Sequence, residues 1–339
     1  MPSLRSNNAF GWIDRNRIYL LLAAVLVGMS VFAPKFLNAY NLTVITKAAS
    51  LNALVAIGFT IVMICGELDL SIGSTLTLGA MLAIGLRPAL GWAGSFSAAV
   101  AAGAAVGLVN GLLVSKARIN SFIVTLGSLT VVQGLIYTYS HGSSLSVTGA
   151  SDFALADFLE KRLVTLVTPR VLITALLVGV FHFIMTSTRP GRNVYMVGGN
   201  KETAWVSGIN PARYVLMAFV LSGLLAALGG ALFAMSMSSA TTDLGASALM
   251  DVISATIIGG TVMTGGKGSV LRSAVAVLTF AALFNGFNRL GLGSEFRIFV
   301  AGLVLALVVL YEAWTVYQHE KVKGRRAVLM DELKNRGIK

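Results

Sequence analysis

Between Arg213 and Asp243 the chain reads YVLMAFVLSGLLAALGGALFAMSMSSATT, Tyr214 to Thr242, 29 residues without one charged side chain. A helix of about 20 apolar residues crosses the hydrocarbon of a bilayer, and a charge at its centre costs about 2.5 kcal/mol or more. This stretch therefore reads as a membrane crossing. It also holds its glycines, alanines and serines in a dense block, Ser222 to Ala231, suited to close helix contact where lipid removes the hydrophobic drive between helices.

The same pattern repeats along the chain. Charge-free intervals run from Arg17 to Lys35, Lys47 to Glu67, Asp69 to Arg87, Arg87 to Lys116, Arg118 to Asp152 and Arg170 to Arg189. After the quoted stretch, three shorter ones of 14 to 16 residues run from Asp251 to Lys267, Arg272 to Arg289 and Arg297 to Glu312. Ten crossings are predicted. All six prolines (Pro2, Pro34, Pro88, Pro169, Pro190, Pro211) fall at or outside the ends of these intervals, as helix interiors require. A second small-residue block, Ala98 to Gly107, lies in the fourth crossing. The fold expected is an all-α integral membrane protein, a polytopic helical bundle of about ten transmembrane helices.

Composition agrees and closes off other classes. Of 339 residues 56% are hydrophobic and 12% charged, against about 25% charged in soluble domains. The 26 Lys and Arg against 14 Asp and Glu give a net charge of +12, but they separate apolar runs and line no continuous hydrophilic face, so nucleic acid is not an expected partner. Cys65 is the one cysteine, and His141, His182 and His319 are scattered, so neither a disulfide nor a clustered metal site is expected. No Ser/His/Asp set points to catalysis. The first apolar run reads as a retained anchor without a cleavage pattern.

Lys and Arg collect in the N-terminal segment 1–17, at Lys116 and Arg118, through a loop at about 188–213 and in a basic tail, 318–339. Ten crossings put these on one side, which the positive-inside tendency makes cytoplasmic, with both termini. The transmembrane body then covers 18–317. A loop at about 140–170, with a short amphipathic helix near Phe153 to Leu163, faces outside. Arg297 is expected to snorkel, and Tyr311, Trp314 and Tyr317 to form an interfacial belt.

Three stretches carry candidate function. In Cys65 to Ser74, CGELDLSIGS, Asp69 either caps the third helix or joins Glu67 in a polar hinge along a pathway. From Thr188 to Arg213, Asn200 is placed to cap a short helix from Lys201 to Ser207, with Glu202 favourable near its N-terminus; Trp205 and Val206 offer apolar knobs. This is either a capped connector or a docking element. In Gly259 to Ser269, GGTVMTGGKGS, glycine density predicts a broken or re-entrant element buried in protein. Nucleotide binding is rejected there, because Gly266 stands where a phosphate loop requires lysine. Asp251, at the head of the eighth crossing, is either its cap or a polar group of the pathway.

Together these stretches resemble the permease subunit of bacterial ATP-binding-cassette sugar importers, the ribose-type branch that includes relatives for xylose, rhamnose, galactose and autoinducer-2. Gly66 to Ser74 is similar to that family's G-[GE]-[IL]-D-[LV]-S-[VI]-G-S pattern. Gly107 to Leu113 and Phe122 to Gly127 resemble its next blocks, Gly191-Arg192, Gly198-Gly199-Asn200 and Gly208-Ile209 its cytoplasmic loop, and Ile258 to Thr261 with Gly265 to Ser269 its late glycine block. Glu202-Thr203-Ala204 and Gly208 are similar to the E-A-A-x-x-x-G spacing of importer coupling loops. Asn120-Ser121 stands where a proline is frequent.

The resemblance implies an ABC importer permease fold and a coupling segment, Gly191, Arg192, Gly198, Gly199, Asn200, Lys201, Glu202, Ala204, Trp205 and Gly208, with small Ala204 and Gly208 permitting close docking on the ATPase. It implies a permease homodimer, or a heterodimer with a similar permease, a cytoplasmic ATPase with two cassette domains or a dimer of them, and a periplasmic sugar-binding protein. ATP and Mg would sit on the ATPase, with no cofactor in this chain, in the inner membrane. Candidate path or gate residues are Glu67, Asp69, Ser71, Asn110, Thr125, Asp251, Thr261 and Asn285. The nearer alternatives are a permease of the same superfamily for branched-chain amino acids or nucleosides. An ion-coupled secondary transporter suits the span count but would want a carboxylate away from span ends.

Overall fold

A computed structural model describes residues 8–147, 153–164, 167–293 and 295–303, with 306, 307 and 310. The belt expected at Tyr311, Trp314 and Tyr317 and the basic tail 318–339 lie outside the described residues, as does segment 1–7. Twelve helices are bounded in chain order: α1 Asn8–Phe32, α2 Ala39–Ile64, α3 Ile72–Gly85, α4 Arg87–Ser115, α5 Ser121–Ser140, α6 Phe153–Glu160, α7 Pro169–Ser187, α8 Arg189–Gly199, α9 Lys201–Val206, α10 Pro211–Met237, α11 Leu244–Ile258 and α12 Val270–Arg289. Residues 295–303 are helical as well. The protein is an all-α membrane bundle.

Among the described residues six helices are long and apolar enough to cross a bilayer: α2, α4, α5, α7, α10 and α12. Residues Asn16–Phe32 of α1, together with α3 and α11, are shorter apolar helices. At 1.5 Å per residue α3 and α11 are each roughly 22 Å long, less than the hydrocarbon thickness. Every predicted interval thus holds helical residues, and among the described residues six helices have the length and composition of a crossing.

The seventh interval corrects a boundary. Its charge-free run is not helical throughout: α10 ends at a left-handed Ser238 cap, residues Ser239–Ala240 pair antiparallel with Leu145–Ser146, and α11 begins beyond the run, at Leu244. Asp251 therefore lies within α11, not at its head. Of the two forms expected for the glycine stretch, broken or re-entrant, it has the first: a loop formed of turns that interrupts the helices α11 and α12. In the 140–170 region the short helix predicted from Phe153 is present as α6.

α10 is the centre. It packs on α2, α3 and α4, and its face from Ser222 to Ser236 is almost wholly buried. The two small-residue blocks meet: a methyl group added to Gly103 or Gly107 would overlap the α10 backbone at Gly223 or Phe219, and one at Gly223 would overlap Gly103. On α3, a methyl at Gly79 would overlap Ala227, and one at Gly230 of α10 would overlap the Leu76 carbonyl. In an apolar solvent such backbone approach, with its dispersion gain, supplies the association that hydrophobic burial gives in water. α5 and α7 instead turn large side chains outward, Val131, Leu135, Leu176 and Phe183 among them, as lipid-facing helices do.

The N-terminal turns of α3 and α11 also meet. Gly245 donates its N–H to Thr77 Oγ1 at 2.9 Å, and a methyl on Gly73 would come 2.8 Å from the Gly245 carbonyl.

Gly230→Leu is expected to destabilise the bundle by about 3 kcal/mol or to prevent its folding, since the Leu76 backbone cannot retreat. Gly127→Ala in α5, where nothing lies within 4 Å, should stay within about 1 kcal/mol of the parent. Thermal unfolding in mild detergent followed by size-exclusion fluorescence measures both; equal melting temperatures would refute the packing account.

Candidate functional site

Pro190 occupies the first turn of α8, where its missing N–H is harmless, and Thr188 Oγ1 accepts from Gly191 N–H at 3.4 Å. The sequence reading placed this stretch in a loop, either a capped connector or a docking element; it is an amphipathic helix. Val194 and Val197 are buried while Arg192 points outward. Tyr195, whose phenol burial pushes up from its ordinary value against the pull of Arg272, donates to the Gly268 carbonyl at 3.0 Å. Asn200 then caps α9 as expected, accepting from Thr203 N–H at 2.8 Å. Gly208, at φ +78°, closes that turn in the left-handed region.

α9 sorts its residues by face. Glu202, Trp205 and Val206 are exposed, Trp205 at 63% and Val206 at 81%. Ala204 is 1% exposed and packs into the chain's own core. It was expected to permit close docking of a partner; its small side chain permits close packing of α9 on the bundle, and Trp205 and Val206 form the outward surface. Gly191 and Gly198 are inward too: a methyl on Gly191 would overlap Ile184 and one on Gly198 the Ile64 carbonyl. Gly199 and Gly208 have open space around the same position.

Gly198 belongs to a three-way backbone junction. Gly266 donates its N–H to the Ile64 carbonyl at 2.9 Å, and a methyl on Gly265 would lie 2.7 Å from Gly66 Cα and 2.8 Å from the Gly198 carbonyl. The end of α2, the end of α8 and the late glycine loop thus touch main chain to main chain. Gly66 and Gly265, at φ +78° and +85°, also take a backbone conformation that L side chains rarely adopt.

Beyond that junction α2 breaks, and the non-helical Gly66–Ser71 segment is shielded by protein, as irregular backbone in a membrane must be. Asp69, 1% exposed, accepts at Oδ1 from Ser71 N–H (3.1 Å) and Ser71 Oγ (2.6 Å), and at Oδ2 from Ser222 Oγ of α10 (2.7 Å). Asn110 of α4 donates to Ser71 Oγ at 2.9 Å and accepts from Ser128 of α5. Four hydroxyl or amide groups from α4, α5, α10 and the break thus tie one carboxylate into the bundle. Asp69 does not cap α3, whose N-cap is Ser71 without a side-chain bond; it holds the Ser71 N–H and hydroxyl ahead of that helix. Leu68 is held from both ends, its N–H by Ser121 Oγ (3.2 Å) and its carbonyl by Thr125 Oγ1 (3.4 Å).

Glu67, one residue from that network, is ion-paired with Lys201, the first residue of α9. The predicted hinge and the predicted coupling segment are therefore one assembly. Beside it a cavity of about 700 Å³ lies between this pair, α9 and the α4–α5 turn at Arg118 and Asn120.

Three predicted path residues lie elsewhere. Thr261 joins a hydroxyl cluster with Ser273 (3.5 Å) and Thr60. Asp251 and Asn285 face a second cavity at the other end of the bundle. There Arg297, expected to snorkel, pairs with Asp251 at 2.5 Å, and its guanidinium stacks 4.9 Å from the Phe284 ring. Ser222 and Ser128 were missed in the sequence, since serines in small-residue helices signal packing as readily as a carboxylate's partner.

The chain matches the family model described as "Branched-chain amino acid transport system / permease component" over residues 41–309. It is 33% identical to the ribose import permease RbsC of Escherichia coli K12, over 89% of this chain and 94% of that one. It is 30% identical to the L-arabinose permease AraH of Azospirillum brasilense, over 95% and 94%. It is also 30% identical to the galactose/methyl galactoside import permease MglC of Haemophilus influenzae, over 91% and 97%. No solved structure matches. Matched over most of its length by the model and by these relatives, the chain belongs to the family of transport-system permease components.

Proposed function

We propose that this chain is the membrane-spanning subunit of an ATP-driven, binding-protein-dependent importer, and that it forms the path by which a sugar crosses a bacterial inner membrane. The cargo class is a pentose, a hexose or a related small polyol. The observation that carries the reading is the continuity from α9 to the break. Trp205, Val206 and Glu202 face outward, Lys201 on the same helix is paired with Glu67, and Asp69 two residues on is anchored to α10. A displacement of α9 would reach the centre of the bundle through the Lys201–Glu67 pair and the Asp69–Ser222 hydrogen bond.

The relatives named for ribose, L-arabinose and galactose cover the chain nearly end to end, which supports sugar as cargo. In this reading a cytoplasmic ATPase, with two cassette domains or as a dimer, binds ATP and Mg and docks on α9, and this chain has no cofactor of its own. A periplasmic binding protein delivers sugar to a permease dimer, homodimeric or paired with a similar chain. α1, α3, α11 and the helix at 295–303 complete ten crossings with the six long helices, and both termini are cytoplasmic. The family description favours a second reading, a branched-chain amino acid as cargo; uptake assays with leucine and with D-ribose separate the two.

The Glu202→Arg variant should fold and insert as the parent does, because the residue is exposed, yet lose co-purification of the ATPase and at least about tenfold of ATP-driven uptake, as charge reversal at an interface does. Pull-down in gentle detergent with mass spectrometry, alongside vesicle uptake, measures both. Retained ATPase and uptake would defeat the assignment of α9.

Lys201→Glu and Glu67→Lys should each lower uptake about fivefold by leaving like charges face to face. The double variant should return to within about twofold of the parent, the signature of a direct pair. Additive losses in the double variant would show that the pair transmits nothing.

A further inference from the structure

The second cavity has a volume of about 310 Å³, in the range of small-molecule sites. Its walls come from the first half of α2, from α11, from the last turns of α12 and from Arg297. The junction described above involves the last residue of α2 and the loop ahead of α12. The cavity is therefore at the end of the bundle away from α9, separate from the coupling assembly.

Its chemistry is specific. Asn52 donates to Asp251 Oδ2 at 3.4 Å, and its own Oδ1 is buried without a hydrogen-bond partner. A buried amide oxygen without a partner is unfavourable, and this one belongs to a residue of the cavity wall. Asn285 spends its oxygen on Asn41 Nδ2 at 2.8 Å, which fixes the carboxamide and leaves its nitrogen as the donor group. Phe280 and Phe284, ring centroids 5.5 Å apart, supply an apolar face. The charged side chains of the wall are all engaged: Arg297 with Asp251, while Lys47 and Arg170 share Glu160. A zwitterionic amino acid would call for a lone carboxylate and a lone cation. Paired charges, two carboxamides and phenyl rings suit a neutral ligand with hydroxyl groups along its edge and C–H bonds on its face.

We propose that this cavity is a monosaccharide-contacting site within the permease, in which Asn52, Asn285 and the Asp251–Arg297 pair meet sugar hydroxyls and the phenyl rings meet the C–H face. The inference rests on the sugar-import reading. It makes the permease a second point of selection, after the binding protein, and assigns the orphaned Asn52 oxygen a donor: a hydroxyl of the passing sugar.

The test uses the full importer, permease with its ATPase and loaded binding protein, in proteoliposomes, with radiolabelled D-ribose, L-arabinose and D-galactose as probes. Asn52→Leu and Asn285→Leu, near in volume but without hydrogen-bonding groups, should lower uptake of the best-transported sugar about tenfold, with the complex assembling as the parent does. Ser247→Phe, at the exposed rim of the cavity, should cut D-galactose uptake about tenfold more than D-ribose uptake, because narrowing excludes the larger ring first. Parental rates in both leucine variants, or an equal loss for every sugar in Ser247→Phe, would overturn the site while leaving the importer reading intact. If the parent complex takes up none of the three sugars, the importer reading itself fails for sugars and the site falls with it.

Discussion

Close approach of main chain to main chain is the constraint on which this bundle depends. Along α10 the contacts with α3 and α4 are set by Gly79, Gly103, Gly107, Gly223 and Gly230, each without room for one more carbon atom. In lipid no gain comes from hiding apolar side chains, so helices associate through van der Waals contact and a few polar links. Once α10 is seated, the polar links become possible. Ser222 lies beside Gly223 on that same face, and it reaches Asp69 because the backbones around it are so close.

The break after α2 shows the other side of the same rule. Unpaired peptide groups and a carboxylate inside a bilayer are expensive, and here each is compensated by neighbours: Ser121 and Thr125 for the Leu68 backbone, Ser71 and Ser222 for Asp69. The compensation comes from α5 and α10, so the break is held by helices distant in sequence. Its link to α9 is different in kind. A three-way glycine junction and one ion pair join segments around residues 65, 198 and 266, stiff in the main chain and adjustable at a single charged contact.

Much of this was legible in the residues. Charge-free intervals fall on each long apolar helix, because one charge costs more than local propensity can offset; the boundaries are less legible, since Lys47 lies inside α2 and Asp251 inside α11. The blocks Ala98 to Gly107 and Ser222 to Ala231 were readable as contact surfaces, and they contact one another. Asn200 was readable as a cap because capping is local. What was not legible was long-range or ambiguous. The absence of charge gave no sign that the run after Arg213 divides at Ser238, since the serines and threonines from Ser238 to Thr242 are uncharged. Proline and glycine in 188–199 read as turn signals, yet Pro190 opens a helix and Gly191 and Gly198 serve close packing. Glu67 finds Lys201 across 134 positions and Asp251 finds Arg297 across 46, and no spacing rule covers either pair.

The bond from Ser222 to Asp69 spans 153 positions, and this has a consequence for biogenesis. Asp69 and the short α3 emerge from the ribosome long before α10. Until then the carboxylate has Ser71 and, once α4 is made, Asn110 behind it, but no α10 surface against which to bury. α2, the break and α3 must therefore wait near the water interface or under the care of the insertion machinery, and reach their final depth when α10 arrives. The late helix acts as the keystone of synthesis, and a ribosome stalled before residue 222 should leave a nascent chain that is membrane-bound yet open to proteases at the break.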